Sequence, residues 1–102
     1  MNSIERVLSA VKFAEPDCVP VGPYMGNFGA TVSGVPLDKY CQSGSLMAKA
    51  QLDACELIGQ DIIVLQSDNY YIAEGFGLKV KHNPNEIPTC VRLPINDDSD
   101  VY

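Results

Sequence analysis

The chain has 102 residues and a mass of 11.1 kDa, the size of one small domain. Its 46% hydrophobic and 20% charged residues are ordinary for a globular protein and exclude disorder, collagen and coiled coil as descriptions of the whole. Thirteen acidic against seven basic residues leave a formal charge of −6, which makes nucleic acid or an anionic membrane surface a poor partner.

The first segment is predicted to be a helix, with Ile4, Val7, Leu8 and Val11 following the i, i+3, i+4, i+7 rule. Ser3 is one candidate cap, and Asn2 with Glu5 three residues on is a possible capping box. Glu15-Pro16 is expected to end the helix, because the residue before proline is pushed out of the α region. Residues 18–21, Cys-Val-Pro-Val, read as a short strand, and residues 22–36, rich in Gly and Pro, as a long loop. Ser43 or Ser45 opens a second helix that runs to about Ile58, closed by Gly59. Two apolar stripes on it, Met47-Ala50-Ala54-Leu57-Ile58 and Ala48-Leu52-Cys55, both call for cover. Residues 61–66 follow, with Ile62, Ile63, Val64 and Leu65 in succession, the pattern of a strand buried on both faces of a parallel sheet. A short helical turn around Ile72 to Leu78 comes next. Residues 79–82 and 90–93 alternate as the strands of a hairpin, joined by a turn-rich link.

The four cysteines, Cys18, Cys41, Cys55 and Cys90, are widely spaced with no C-x-x-C, so no structural zinc site is expected. They read first as buried thiols, kept reduced in a cytoplasmic protein. The start carries no basic segment followed by an apolar stretch, and no apolar run approaches the ~20 residues of a membrane span. Asp68 is the leading catalytic candidate, just past the end of the most apolar run, where parallel α/β folds gather their chemistry. A carboxylate there suits proton handling or stabilising a developing cation. The bland alternative is that Asp68 caps the turn of helix behind it. Ser67 beside it, and Tyr24, Met25 and Asn27 in the glycine-rich loop, are candidate pocket-lining residues. That loop lacks the G-x-G-x-x-G order of a phosphate cradle. Tyr70 and Tyr71 could reach the same cleft or simply pack. His82, the single histidine, lies among lysines on an alternating strand and reads as a surface residue. Asp97, Asp98 and Asp100 read as a solvated helix start.

Val19-Pro20-Val21, Gln66-Ser67-Asp68 and the run from Ala73 to Val80 carry a family resemblance. The chain resembles the N-terminal third of the uroporphyrinogen decarboxylase superfamily, which also holds cobamide-dependent methyltransferases. The stretch from Arg6 to Val21 is similar to that family's first helix and strand, and Met47 to Asp61 to the helix before its second strand. Ser67-Asp68 is similar to a Ser-Asp pair whose aspartate is the catalytic carboxylate of the decarboxylases. The resemblance implies a (β/α)₈ barrel, which needs ~250 residues, so the chain is expected to be an incomplete, N-terminal piece of one with a peripheral hairpin. Alone, it is expected to be inactive, and its open sheet edges would favour a homo-oligomer.

In the decarboxylases two arginines after the first strand grip the carboxylates of the porphyrinogen. The corresponding places here fall near Met25 and at Gly29 or Ala30, and the loop holds no positive charge. An octacarboxylate needs charge-assisted partners. The resemblance therefore leans toward corrinoid-linked methyl transfer, with a corrinoid protein as partner and zinc as a possible cofactor of a longer enzyme. The zinc motif of that branch, His-x-Cys with a later Cys, has no counterpart among these residues. Two other readings stay open: a tetrapyrrole decarboxylase (a lyase), and a non-catalytic association module.

Overall fold

The computed structural model describes residues 1–66, 68–93 and 95. Its elements are α1 (Ser3–Val11), α2 (Phe28–Ser33), α3 (Leu37–Gln42), α4 (Gly44–Ile58), α5 (Tyr71–Gly75), β1 (Lys79–Asn83) and β2 (Glu86–Arg92). This is a small α/β arrangement with a two-stranded antiparallel sheet.

Local chemistry accounts for most of the element ends. Asn2 caps α1 in a full capping box: its Oδ1 accepts from the Glu5 N–H, and Glu5 Oε2 accepts from the Asn2 N–H, both at 2.9 Å. The helix stops at Val11, earlier than the proline suggested, where Phe13 takes φ +56°. Ser43 caps α4, its Oγ accepting from the Leu46 N–H, and Gly59 closes it in the left-handed region. In the hairpin, Val80 pairs with Cys90 and Lys81 with Thr89. β2 begins as early as Glu86, so the turn is only Pro84-Asn85.

Two expectations are corrected. The long loop over 22–36 holds a helix, α2, and α3 follows it at once. Residues 18–21 and 61–66 form no strand. A strand needs a neighbour for its alternate peptide groups. Here the N–H groups of Asp61 and Ile62 both converge on one carbonyl, Val21 O, so the two segments touch at a point and no ladder propagates. The apolar run that suggested burial is correspondingly open, with Ile62, Val64 and Leu65 exposed. The parallel sheet expected of a barrel is therefore absent among the described residues.

The core is small and lies where α2 and α3 meet α4. Ala30, Tyr40 and Ala50 are fully buried, with Val35, Leu37, Cys41 and Met47 packed against them. Ser33 Oγ and Lys49 Nζ both donate to Asp53 Oδ2, at 2.9 and 2.7 Å, which ties α2 to the flank of α4. One apolar stripe of α4 is thus covered at Met47, Ala50 and Ala54, while its end at Leu57 and Ile58 stays exposed. The other is uncovered: Leu52, with Ile63 and Leu65, borders an open apolar groove. The stripe of α1 is also bare, and Phe13 is 99% exposed. The Cα radius of gyration, 17.6 Å, exceeds the ~13 Å of a tightly packed chain of about 100 residues.

What holds α1 in place is charge. Arg6 donates through Nε and Nη2 to Asp17 at 2.7 and 3.0 Å, and through Nη1 to Asp61 Oδ1. Asp61 Oδ2 in turn accepts from the Val21 N–H at 2.9 Å. The Val21 N–H, with the Ser3 and Arg6 side chains, holds the Asp61 carboxyl below its ordinary range; Arg6 and the N-terminal ammonium do the same for Asp17. A carboxyl lowered by folding contributes stability above its unfolded pKa of about 3.9 and loses it as pH falls toward the folded value. Docking of α1 is therefore expected to be complete from about pH 5 upward and to weaken progressively below about pH 4. Thermal melts across this range check it, and Asp61→Asn should flatten the acid limb. A wild-type melt unchanged down to about pH 2.5 would contradict the assignment.

Candidate functional site

Four of the residues singled out in the sequence, Tyr24, Asn27, Asp68 and Tyr70, converge on one cleft of about 290 Å³. Tyr24, Gly26 and Asn27 form one wall, Asp68, Asn69 and Tyr70 the floor, and Ile87 and Pro88 of β2 the opposite wall. A larger depression of about 390 Å³ lies between the α2–α3 junction and the hairpin turn. Its lining, which includes Thr31, Val35, Leu37 and Asn85, contains no ionisable side chain, whereas the smaller cleft holds Asp68 and two tyrosines.

The floor is a turn organised by Asp68. Its Oδ1 accepts from the Tyr70 N–H, and its carbonyl accepts from Gln66 Nε2 at 3.2 Å. Asp68 does not cap α5, whose N-cap position is Tyr70 with no side-chain cap, but it does form the turn before it and lines the cleft as well. Half-buried, it sits beside Asn69 and Tyr70. Asn27 brings an amide whose Oδ1 is buried with no hydrogen-bond partner among the described residues, an acceptor still to be satisfied. Tyr24, 62% exposed, leaves much of its ring open to solvent. The described lining is neutral or acidic throughout, with no lysine, arginine or histidine in it.

Other expected residues fall elsewhere. Met25 does not line the cleft: its side chain is buried in the apolar interior instead. Tyr71 is exposed and also outside it, whereas Tyr70 is part of it. Ser67, and the acidic cluster Asp97, Asp98 and Asp100, lie outside the described residues. His82 is no surface residue: only 12% of its side chain is exposed, Nε2 lies 3.2 Å from Glu74 Oε1, and Nδ1 is buried. Cys18 and Cys90 are exposed, contrary to the buried-thiol reading, and all four cysteines are free. Cys41 is partly buried next to the carboxylates of Asp68, Glu74 and Asp38. Burial first, and those charges second, push its thiol up to about 11, so it stays protonated and is a poor nucleophile at neutral pH.

Ile87 and Pro88 had no sequence signal, since they enter the cleft only through the fold of the hairpin. Among the described residues no group of three His, Cys, Asp or Glu side chains converges as a metal site. The zinc that the resemblance implies therefore finds no donor set in the described part of this chain. No helix among the described residues is long and apolar enough to cross a membrane.

Comparison with known proteins places this sequence in a family. The family model described as Uroporphyrinogen decarboxylase (URO-D) matches residues 2–102. No curated protein and no solved structure matches the chain. A match over nearly the full sequence takes in the loop, the Asp68 turn and the hairpin together, and so the chain belongs to the uroporphyrinogen decarboxylase family.

Proposed function

We propose that this chain serves corrinoid-linked methyl transfer as the N-terminal part of a (β/α)₈-barrel enzyme, with the Asp68 cleft as its ligand site. The observation that carries this reading is the absence of any cationic side chain from the described cleft lining. A porphyrinogen presents carboxylates around its rim, and a carboxylate placed beside Asp68 meets like charge in a described lining that contributes no lysine, arginine or histidine. A corrin presents carboxamides instead. Their N–H groups are donors, matched to the acceptor oxygens of the Asp68 carboxylate. The corrinoid, when bound, supplies the carrier of the one-carbon group. Asp68 orients that ligand by charge-assisted hydrogen bonds, and Tyr24 and Ile87 cover its apolar edge. At about 290 Å³ the cleft takes one edge of a macrocycle or a small methyl-bearing molecule.

Tetrapyrrole decarboxylation is the second reading, favoured by the description of the family model. Equilibrium binding of hydroxocobalamin and of uroporphyrin I, followed by tyrosine fluorescence, separates the two. Corrinoid linkage is expected to give hydroxocobalamin about a tenfold or greater advantage, the worth of one charge-assisted hydrogen bond. Tighter binding of uroporphyrin I would overturn it in favour of the decarboxylase.

A further inference from the structure

We propose that the amide of Gln51, together with the hydroxyl of Tyr40, is the positioning device that sets the width of the Asp68 cleft. This deepens the functional reading above and rests on it for the identity of the ligand. Gln51 is 1% exposed, an amide on the otherwise apolar buried side of α4. Its Nε2 donates to the Gly26 carbonyl at 3.1 Å and to the Tyr40 hydroxyl, and that hydroxyl donates to the same Gly26 carbonyl at 3.0 Å. Two buried donors from two different helices thus hold a single peptide group of the cleft wall, the one that joins Gly26 to Asn27. Gly26 has φ +50°, which glycine adopts without strain and other residues rarely do, so the turn can present its carbonyl to both donors.

The helix that carries Tyr40 also reaches the other wall. The Leu37 N–H at the start of α3 donates to the Pro84 carbonyl of the hairpin turn at 2.9 Å, and the hairpin carries Ile87 and Pro88 into the cleft. α3 is therefore a strut with the loop wall bonded to its middle and the hairpin wall bonded to its start. α2 is seated against the same group: a Cβ on Gly29 would come within 3.3 Å of Gln51 Nε2 and of the Ala50 carbonyl. Any change in the Gln51 amide is felt by the turn at Gly26 before it is felt by the hairpin.

The test uses the full chain and three variants. Gln51→Met keeps volume and removes the donor, Tyr40→Phe removes the hydroxyl alone, and Gln51→Glu restores a donor only while the buried carboxyl is protonated. Residue-resolved amide exchange, corrected for intrinsic rates, is read at Phe28 and Ala30, whose N–H groups bond the Met25 and Asn27 carbonyls. Hydroxocobalamin affinity is measured alongside. In Gln51→Met these amides are expected to exchange at least tenfold faster while those of β1 and β2 are unchanged, with affinity reduced about tenfold. Tyr40→Phe should give a smaller effect of the same pattern. Gln51→Glu should approach wild type at about pH 5 and resemble Gln51→Met near neutrality. Uniform acceleration through the hairpin, or none at Phe28 and Ala30, overturns the positioning role. A wild-type chain that binds no hydroxocobalamin overturns the functional reading alone, since the exchange pattern still decides the strut.

Discussion

Replacing Tyr40 with alanine is expected to cost this chain about 3–5 kcal/mol and to leave little of its cooperative unfolding transition. Tyr40 is 0% exposed, the largest side chain in a core that otherwise rests on Ala30 and Ala50. Removing it empties the space between α3 and α4 and also leaves the Gln51 amide short of one partner. A domain of this size has ~5–15 kcal/mol of stability in total, so one such loss takes a third or more of it at the low and middle of that range. Leu52→Ala, at a residue 56% exposed on the uncovered stripe of α4, should cost under about 1 kcal/mol by contrast. Urea unfolding followed by circular dichroism distinguishes the two. A Tyr40→Ala chain that unfolds at the wild-type midpoint would mean that the helices are held by something other than this core.

The second large effect is at Asp68. Asp68→Asn preserves shape and an oxygen to accept from the Tyr70 N–H, so the turn into α5 should survive and the melting temperature should move little. What is lost is the charge. Removing the ionised partner of a charge-assisted hydrogen bond costs about 1.5–3 kcal/mol, so hydroxocobalamin affinity should fall roughly 10- to 100-fold. If Asp68 handles a proton or stabilises a developing cation in an active family enzyme, turnover should fall ~10²–10⁴-fold. Asp68→Ala should add a local loss of stability, because the Tyr70 N–H then has no carboxylate to meet. Unchanged turnover and unchanged affinity in Asp68→Asn would reduce the residue to its turn-forming role.

The parts of this structure that were legible in the sequence are those decided within a few residues. The Asn2–Glu5 box, the Ser43 cap and Gly59 mark α1 and α4 by local hydrogen bonding alone. The hairpin announces itself through alternation around Asn83-Pro84-Asn85. α2 and α3 were not legible, because each is 6 residues long, has no side-chain cap, and is stabilised by packing on α4. The run 61–66 misled for the opposite reason. Its branched apolar residues state what the segment could pair with, and the described chain supplies no strand beside it.

The candidate site divides in the same way. Asp68, Tyr24 and Asn27 were found from their places after apolar segments, and they do meet. Ile87 and Pro88 reach the cleft across a fold that no local pattern reveals. Gln51 had one overlooked signal, an amide between Ala50 and Leu52 on a helix whose apolar stripes demanded cover. A polar group there either breaks the stripe or has a buried partner, and here the partner is the wall of the cleft.

The most direct test of the central claim is a residue-resolved NMR titration of the chain with hydroxocobalamin. The expected result is a set of saturable shift changes at Tyr24, Asn27, Asp68, Tyr70 and Ile87, with the amides of α1 unmoved. Saturable changes confined to α1 and the apolar groove beside Leu52, or no changes at any concentration, would contradict it.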